Sequence, residues 1–303
     1  MTNPLAIPPS DVRRVVFLGT PDVSAVALGA LVDAGYEVPL VVSRPDRRRG
    51  RGSKLIPSPV KQTALDLGLP TTDNMADLAT VDADLGVVVA YGRIIPTELL
   101  AQLAMVNIHF SLLPRWRGAA PVERAILAGD AKTGVCLMEV VEGLDEGGVY
   151  SRVETDIGPD ETSAELRVRL GELGATLLVD SLAAGLGQPV PQSGETTYAA
   201  KMEKHEAHLD FDQPAIALHR TVRVTKAWTE FRGKRLGLER TAAHPNAERV
   251  GANGQLDLAD RQVTATTGEG RLELLTVKPE GKRAMAAQDW ANGVQLTEGD
   301  RLG

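Results

Sequence analysis

The sequence predicts an α/β protein, a parallel sheet covered on both faces by helices, followed by a smaller all-β domain. Three observations carry this. From Val15 to Gly185 short apolar runs alternate with segments of helical spacing, joined by short turns, which is the pattern of a sheet wound with helices. After Gly185 the chain becomes turn-rich, and then gives several short strand candidates separated by Gly, Asn and Asp, as in a small barrel or sandwich. Its 303 residues suffice for about two domains.

The elements follow in order. Residues 1–12 are short, Pro-containing and unpatterned, and are expected to form a disordered tail. VVFLG (15–19) is a continuous apolar run closed by glycine, as in a strand buried on both faces. Val23, Val26, Ala27, Ala30, Leu31 and Ala34 recur at helical spacing and stop at Gly35. VPLVVS (38–43) is a second strand, a helix is expected at about 60–67, and LGVVVA (85–90) and MVNIHF (105–110) are further strands flanking a helix near 96–103. APVERAILAGD (120–130) is helical, TGVCLMEVV (133–141) is a strand, and an amphipathic helix covers about 162–185. Residues 13–188 therefore form one domain, 189–206 read as a linker, and 207–303 hold one helix (214–223) and strands at FRGKRLGLER, GQLDLA, QVTATT and RLELLTVKP.

Composition narrows the function. Hydrophobic residues at 43% and charged residues at 24% are ordinary for a soluble globular chain. The lone Cys136 excludes an intramolecular disulfide and a multi-Cys zinc site, and no apolar run approaches the length of a spanning helix. The first 14 residues lack the apolar core and cleavage site of a secretory signal, so a cytoplasmic protein is expected, and nothing in the pattern demands more than a monomer. GTPD (19–22) lacks the G-x-G-x-x-G spacing and no GxxxxGK[ST] occurs, which argues against a nicotinamide cofactor and a P-loop. His205, His208, His219 and His244 show no metal spacing, so no metal is expected.

The strongest constellation is VNIHFSLLPRWRGAAP (106–121). Positions i and i+2 of a strand share a face, so Asn107 and His109 project together from the carboxyl end of a sheet strand, where open α/β sheets bind ligands. An amide beside an imidazole suits acyl transfer, the amide donating to an oxyanion and the imidazole handling the proton of an attacking amine. The plainer reading is a pair of satisfied core polar residues. SLLP then leaves the strand through a proline-fixed bend that can wall a pocket. In EGLDEGG (142–148) Asp145 sits on a tight corner, from which it orients His109 or serves only as a turn residue.

Charge is unevenly divided. Residues 1–206 carry 19 basic and 27 acidic side chains, and 207–303 carry 14 and 13. A pI near 5.4 argues against indiscriminate nucleic-acid coating, and 4% aromatic content leaves few rings for base stacking. Yet RPDRRRGRGSK (44–54) sets Arg44, Arg47, Arg48, Arg49, Arg51 and Lys54 against only Asp46. Such a run is commonly just solvated surface. Here it leaves the carboxyl end of the 38–43 strand, on the same rim as Asn107 and His109, and suits a polyanionic substrate such as nucleic acid.

At these residues the sequence resembles the methionyl-tRNA formyltransferase family, through VVFLGTPDVSA, RPDRRRGRGSKLIPSPVK, VVVAYGRIIP, VNIHFSLLPRWRGAAPVERAILAGD, TGVCLMEVVEGLDEG and EGKRAMAAQDWANG. The resemblance implies a Rossmann-like formyltransferase domain followed by an OB-like, tRNA-binding carboxyl-terminal domain. It implies transfer of the formyl group of 10-formyltetrahydrofolate to the α-amine of methionyl initiator tRNA. Carried over by position, the family's catalytic Asn, His and Asp fall on Asn107, His109 and Asp145, and its folate-contacting SLLP on Ser111, Leu112, Leu113 and Pro114. Its acceptor-arm loop falls on about 43–58, making Arg44, Arg47, Arg48, Arg49, Arg51 and Lys54 candidates for tRNA contacts. Phe110 stands where the family often has Gly, Cys136 where it often has Thr, and 222–231 is shorter than usual. The alternatives are a folate-dependent formyltransferase acting on a nucleotide-linked amino sugar, and a catalytically silent RNA-binding relative.

Overall fold

The computed structural model describes residues 5–48 and 55–303. The first strand, β1 (Val15–Gly19), is buried along its whole length, as its unbroken apolar run requires. It feeds α1 (Asp22–Asp33), which turns Val23, Ser24, Ala27, Leu28 and Leu31 inward and stops at Ala34 and Gly35, the latter at φ +85°. The next strand, β2, is confined to Val41–Val42, shorter than the expected 38–43, because Pro39 has no N–H to give to a ladder. Arg47–Arg48 (β3) pair antiparallel with Leu55–Ile56 (β4). Helix α2 (Pro59–Asp66) is capped by the Ser58 hydroxyl, which accepts the Lys61 N–H at 3.0 Å, with Pro59 in the first turn where its missing donor costs nothing.

Next come β5 (Thr71–Thr72), β6 (Leu85–Val89), α3 (Thr97–Leu100) and β7 (Met105–His109), then β8 (Arg117–Gly118) and α4 (Pro121–Ala128). The series β9 (Lys132–Glu139), β10 (Val149–Asp156), α5 (Ser163–Ala184) and β11 (Tyr198–Ala199) follows. The main sheet has the order β10-β9-β7-β6-β1-β2-β5. Its five strands from β7 to β5 are parallel. The expected parallel sheet is extended at one edge into a mixed one, because β9 runs antiparallel to β7 and β10 antiparallel to β9. Strand β10 carries no apolar run: its residues alternate between half-buried and exposed, as suits an edge.

The described residues up to Val122, with Lys132–Asp156 and Glu165–Ala200, form one compact unit, and Glu123–Ala131, Ile157–Ala164 and Lys201–Gly303 form the other. Residues 5–12 differ from the expected tail: Leu5 packs against an apolar cluster of the first unit and the Ala6 N–H donates to the Leu100 carbonyl at 2.9 Å. Among the described residues no helix is long and apolar enough to cross a membrane.

The second unit contains α6 (Ala215–Val224), β12 (Trp228–Phe231), β13 (Lys234–His244), β14 (Leu256–Ala259), β15 (Gln262–Thr266), β16 (Arg271–Pro279), β17 (Met285–Ala286) and α7 (Ala287–Val294). All strand pairings are antiparallel, in the order β12-β13-β16-β15-β14, with β17 on β16. Leu218, Leu238, Leu272 and Trp290 are among the side chains closing its core, and the Phe231 ring meets Trp290 edge-on at 4.9 Å. The stretch FRGKRLGLER, read as one strand, is broken by a two-residue hairpin turn. Arg232 and Gly233 both have positive φ, +47° and +71°, which matches the strand twist. The exposed Arg232 is held there by Asp300, with Nε–Oδ1 2.9 Å and Nη2–Oδ2 2.6 Å.

That ion pair predicts acid sensitivity. Hydrogen bonds, from the Arg232 guanidinium foremost and then from Thr297, hold the Asp300 carboxyl at about 2, below its ordinary 3.8. A carboxyl depressed in the fold contributes stability that is present above its ordinary value and lost as pH falls through the folded one. Replacing Asp300→Asn should lower the melting temperature at neutral pH. It should also flatten its decline between pH 4 and pH 2 relative to the parent, as read by thermal denaturation across that window.

Candidate active site

Strand β7 brings the first two predicted residues together. Asn107 and His109 lie on one face, opposite Met138 and Cys136 of β9, while Ile108 and Phe110 face the other way. On that far side α5 comes so close that a side chain at Gly174 would meet Ile108, with Phe110 just beyond. Phe110 is thus a buried packing residue.

The imidazole of His109 is buried and both of its nitrogens face oxygens. Nε2 lies 2.9 Å from the Trp116 carbonyl, and Nδ1 lies 3.6 Å from Asp145 Oδ2. A carbonyl only accepts, so Nε2 carries a hydrogen and donates it. The Asp145 carboxylate reaches the ring at ion-pair distance, while its hydrogen bond at 2.8 Å comes from the Gly118 N–H. Asn107 is half-buried and, among the described residues, its amide makes no side-chain hydrogen bond.

Strand direction makes this meeting unexpected. Glu139, at the end of β9, pairs with Val106, three residues back from His109. That places it about 10 Å from the carboxyl end of β7 at 3.3 Å per residue. The 140–148 loop therefore doubles back over the sheet face. Asp145 sits at its corner with φ +54°, and Trp116 with φ +64°; left-handed backbone in such residues costs about 1 kcal/mol or more and persists where surroundings impose it. Gly147 permits the return, since a Cβ there would lie 2.0 Å from the Glu139 carbonyl oxygen.

The SLLP segment follows directly. Ser111 is fully buried and its hydroxyl donates to the Arg115 carbonyl at 2.6 Å. Leu113 packs with Cys136, Met138 and Val149, and Leu112 lies over Gly134, whose missing side chain makes room for it. The Leu113–Pro114 peptide is cis. Leu112 and Pro114 keep half-exposed surface, whereas Ser111 and Leu113 are committed to the interior. Burial pushes the Cys136 thiol up, which fits a packing residue and not a nucleophile.

At the rim, Arg44 donates to the Gly92 carbonyl at 2.8 Å. It lines a cavity of about 340 Å³ with residues that include Thr20, Arg47, Ser58, Ala90 and Tyr91. Ala90 follows Val89, the partner of Ile108, so the cavity opens on the rim that carries His109. Arg47 and Arg48 are exposed on β3, and Arg49, Arg51 and Lys54 lie outside the described residues.

Sequence reasoning missed two groups that face the ring and its carboxylate, the Trp116 carbonyl and the Gly118 N–H. Both are backbone groups in a motif already singled out, and no residue-type pattern marks them.

Fold and site define a group-transfer enzyme, with the chemistry at the carboxyl end of a sheet strand. The sequence pattern described as Formyl transferase matches residues 13–182, and that described as Formyl transferase, C-terminal domain matches 201–295. The chain belongs to the formyl transferase family. It is 45% identical over 304 residues to the methionyl-tRNA formyltransferase of Roseobacter denitrificans, covering 94% of this chain and 97% of the relative. Among solved structures it resembles an N-formyltransferase from Helicobacter canadensis in complex with folinic acid and dTDP-3-aminofucose, at TM-score 0.66 and 14% identity over 87% of this chain and 98% of that one. It also resembles the methionyl-tRNA formyltransferase from Clostridium thermocellum, at TM-score 0.56 and 17% identity over 78% and 95%. These structural likenesses concern the fold.

The loop geometry gives a direct test. Gly147→Ala should lower unfolding free energy by about 1–3 kcal/mol, because the obstacle is backbone and cannot swing aside. It should also displace Asp145 and so reduce turnover; urea denaturation and initial-rate assays check the two effects.

Proposed function

We propose that this protein transfers the formyl group of 10-formyltetrahydrofolate to the α-amine of methionyl initiator tRNA, giving formylmethionyl-tRNA for translation initiation, a cytoplasmic reaction. The observation that carries the reading is the pairing, on one strand face, of an amide unused by the other described residues with an imidazole whose Nδ1 faces a carboxylate. Descent from a family of formyl transferases, and 45% identity to a relative named for this reaction, supply the substrates.

The folate-derived donor supplies a formyl group on nitrogen. Leu112 and Pro114 offer its rings an apolar wall. Asn107 donates to the formyl oxygen as the amine attacks and negative charge gathers there. His109, its Nε2–H committed to Trp116, takes the ammonium proton at Nδ1 and passes it toward the departing folate nitrogen. Asp145 stabilises the imidazolium across 3.6 Å and, tied to Gly118, cannot wander from it. Residues 13–188 carry this chemistry, 189–206 lead onward, and 207–303 contribute to tRNA binding. Support for the last comes from that segment's balance of 14 basic against 13 acidic side chains. A cavity of about 600 Å³ in the second unit, whose lining sets Lys226, Arg235, Lys278 and Lys282 beside Glu239 and Glu280, adds to it. The arginine loop, through Arg44, Arg47, Arg48, Arg49, Arg51 and Lys54, engages acceptor-arm phosphates.

Radiolabelled formyl transfer to initiator tRNA and, in parallel, to a nucleotide-linked amino sugar tests the reading. Labelled tRNA is expected, and labelled sugar alone would refute it. Asn107→Ala and His109→Ala should each lower kcat by about a hundredfold or more. Asp145→Asn should give a loss of at least about tenfold, since it removes the charge and keeps the shape.

Neutralising Arg47, Arg48, Arg49 and Arg51 together should raise KM for the charged tRNA and leave KM for the folate donor unchanged. The salt dependence of the tRNA KM should flatten by roughly one counterion per lost phosphate contact. Unaltered salt slopes would remove the loop from tRNA binding.

A further inference from the structure

Residues 190–199 run across the first unit as a strap, and its polar side chains converge on the two acceptors that face His109. Val190 forms an antiparallel bridge with Val149, and Tyr198 and Ala199 pair in parallel with Arg117 and Gly118. Between these anchors Gln192 reaches inward. Its Nε2 donates to the carbonyls of Asp145 and Gly147, both at 2.8 Å, and its Oε1 accepts from Arg117 Nε at 3.0 Å and Nη2 at 2.8 Å. Arg117 in turn reaches Glu146 at 3.3 Å. Five residues further on, the Thr197 hydroxyl accepts the Trp116 N–H at 2.9 Å. Trp116 is the residue whose carbonyl receives His109 Nε2, and Asp145 is the one whose carboxylate faces Nδ1.

We infer that Gln192 and Thr197 are positioning residues for formyl transfer: the strap fixes the Asp145 corner and the Trp116 carbonyl, and through them the orientation of the His109 imidazole. The physical need is plain. Asp145 and Trp116 both hold left-handed backbone, at φ +54° and +64°, and neither lies in the main sheet. The corner has one bond of its own, the Glu146 N–H to the Gly143 carbonyl at 3.3 Å, and the Asp145 carboxylate is tied to the Gly118 N–H. The strap adds the ties to the backbone itself, since Gln192 clamps two carbonyls of the 140–148 loop at once and Thr197 holds the peptide on the amino side of Trp116. An imidazole misplaced by about 1 Å is enough to lose on the order of a hundredfold in rate. The inference rests on the roles proposed above for His109 and Asp145.

The test uses the full chain with Gln192→Leu, Thr197→Val and Thr197→Ser. Two measurements are made: steady-state formylation of methionyl initiator tRNA, and the nitrogen-15 spectrum of the His109 ring in histidine-labelled protein. Gln192→Leu and Thr197→Val should each lower kcat by about tenfold to a hundredfold. KM for both substrates should stay within about twofold, because substrate contacts are untouched. Thr197→Ser, which keeps the acceptor oxygen, should recover the wild-type rate to within about threefold. The Nε2 signal of His109 should move in Thr197→Val and return in Thr197→Ser.

Unchanged kcat in both Gln192→Leu and Thr197→Val overturns the inference. So does a rise in KM at constant kcat, which would make the strap a substrate contact. If Gln192→Leu does not fold, the Thr197 pair decides: equal rates in Val and Ser overturn it, and loss followed by rescue supports it. If the wild-type protein formylates no tRNA, the proposed function fails by itself. The ring spectrum then decides the positioning role separately, an unmoved Nε2 signal in Thr197→Val being the adverse result.

Discussion

The arrangement around the His109 ring depends on one short piece of backbone, residues 116–118. Its Trp116 carbonyl receives the His109 Nε2–H, and its Gly118 N–H anchors the Asp145 carboxylate that faces the other ring nitrogen. One peptide segment thereby sets both neighbours of a buried imidazole carried on β7. Gly118 suits this use, as its φ of +112° is one that residues with a side chain rarely adopt, and a Cβ there would sit 3.0 Å from the Ala199 carbonyl. The crossing with β11 is that tight because the parallel pairing of Arg117 and Gly118 with Tyr198 and Ala199 leaves no slack.

Much of this frame was legible in the residues. The apolar runs at 15–19 and 85–89 became buried strands because a run apolar on both faces needs cover on both sides of the sheet. The Asn107-x-His109 spacing placed both side chains on one face, because strand periodicity is a property of the backbone alone. Asp145 was legible only as a corner. Its approach to His109 depends on a loop that reverses over the sheet, and no residue pattern encodes the direction in which a nine-residue turn folds back.

Strand direction was the larger omission. Periodicity reports which faces are buried and is silent about polarity, so β9 looked the same whether it ran with β7 or against it. Strand β10 was invisible for a different reason. VYSRVETD sits at an edge, its half-buried and exposed residues alternating, and its charges keep that edge from pairing with another chain. The strap at 190–199 carries Gln, Ser, Gly, Glu and Thr, a composition that reads as a connector. It escapes that reading only because Gln192 and Thr197 find backbone partners more than forty residues away in sequence.

The charge distribution completes the picture. A first unit that is acidic in sum would repel a polyanion at long range, yet the basic run begins at Arg44, where β2 has just left the sheet. Arg44 does not hang free there. Its guanidinium donates to Gly92, beyond the end of β6, so the first cation of the run is fixed at the mouth of the cavity lined by Thr20, Ala90 and Tyr91. Lys61, paired with Asp46 at 2.7 Å, fixes the next turn of the same segment. With Lys61 neutralised by its partner, Arg44 is the anchored charge at the root of the run, and it sets positive potential on the same rim as the amide and imidazole. Under the proposed function, that is where the end of an anionic chain would be drawn in.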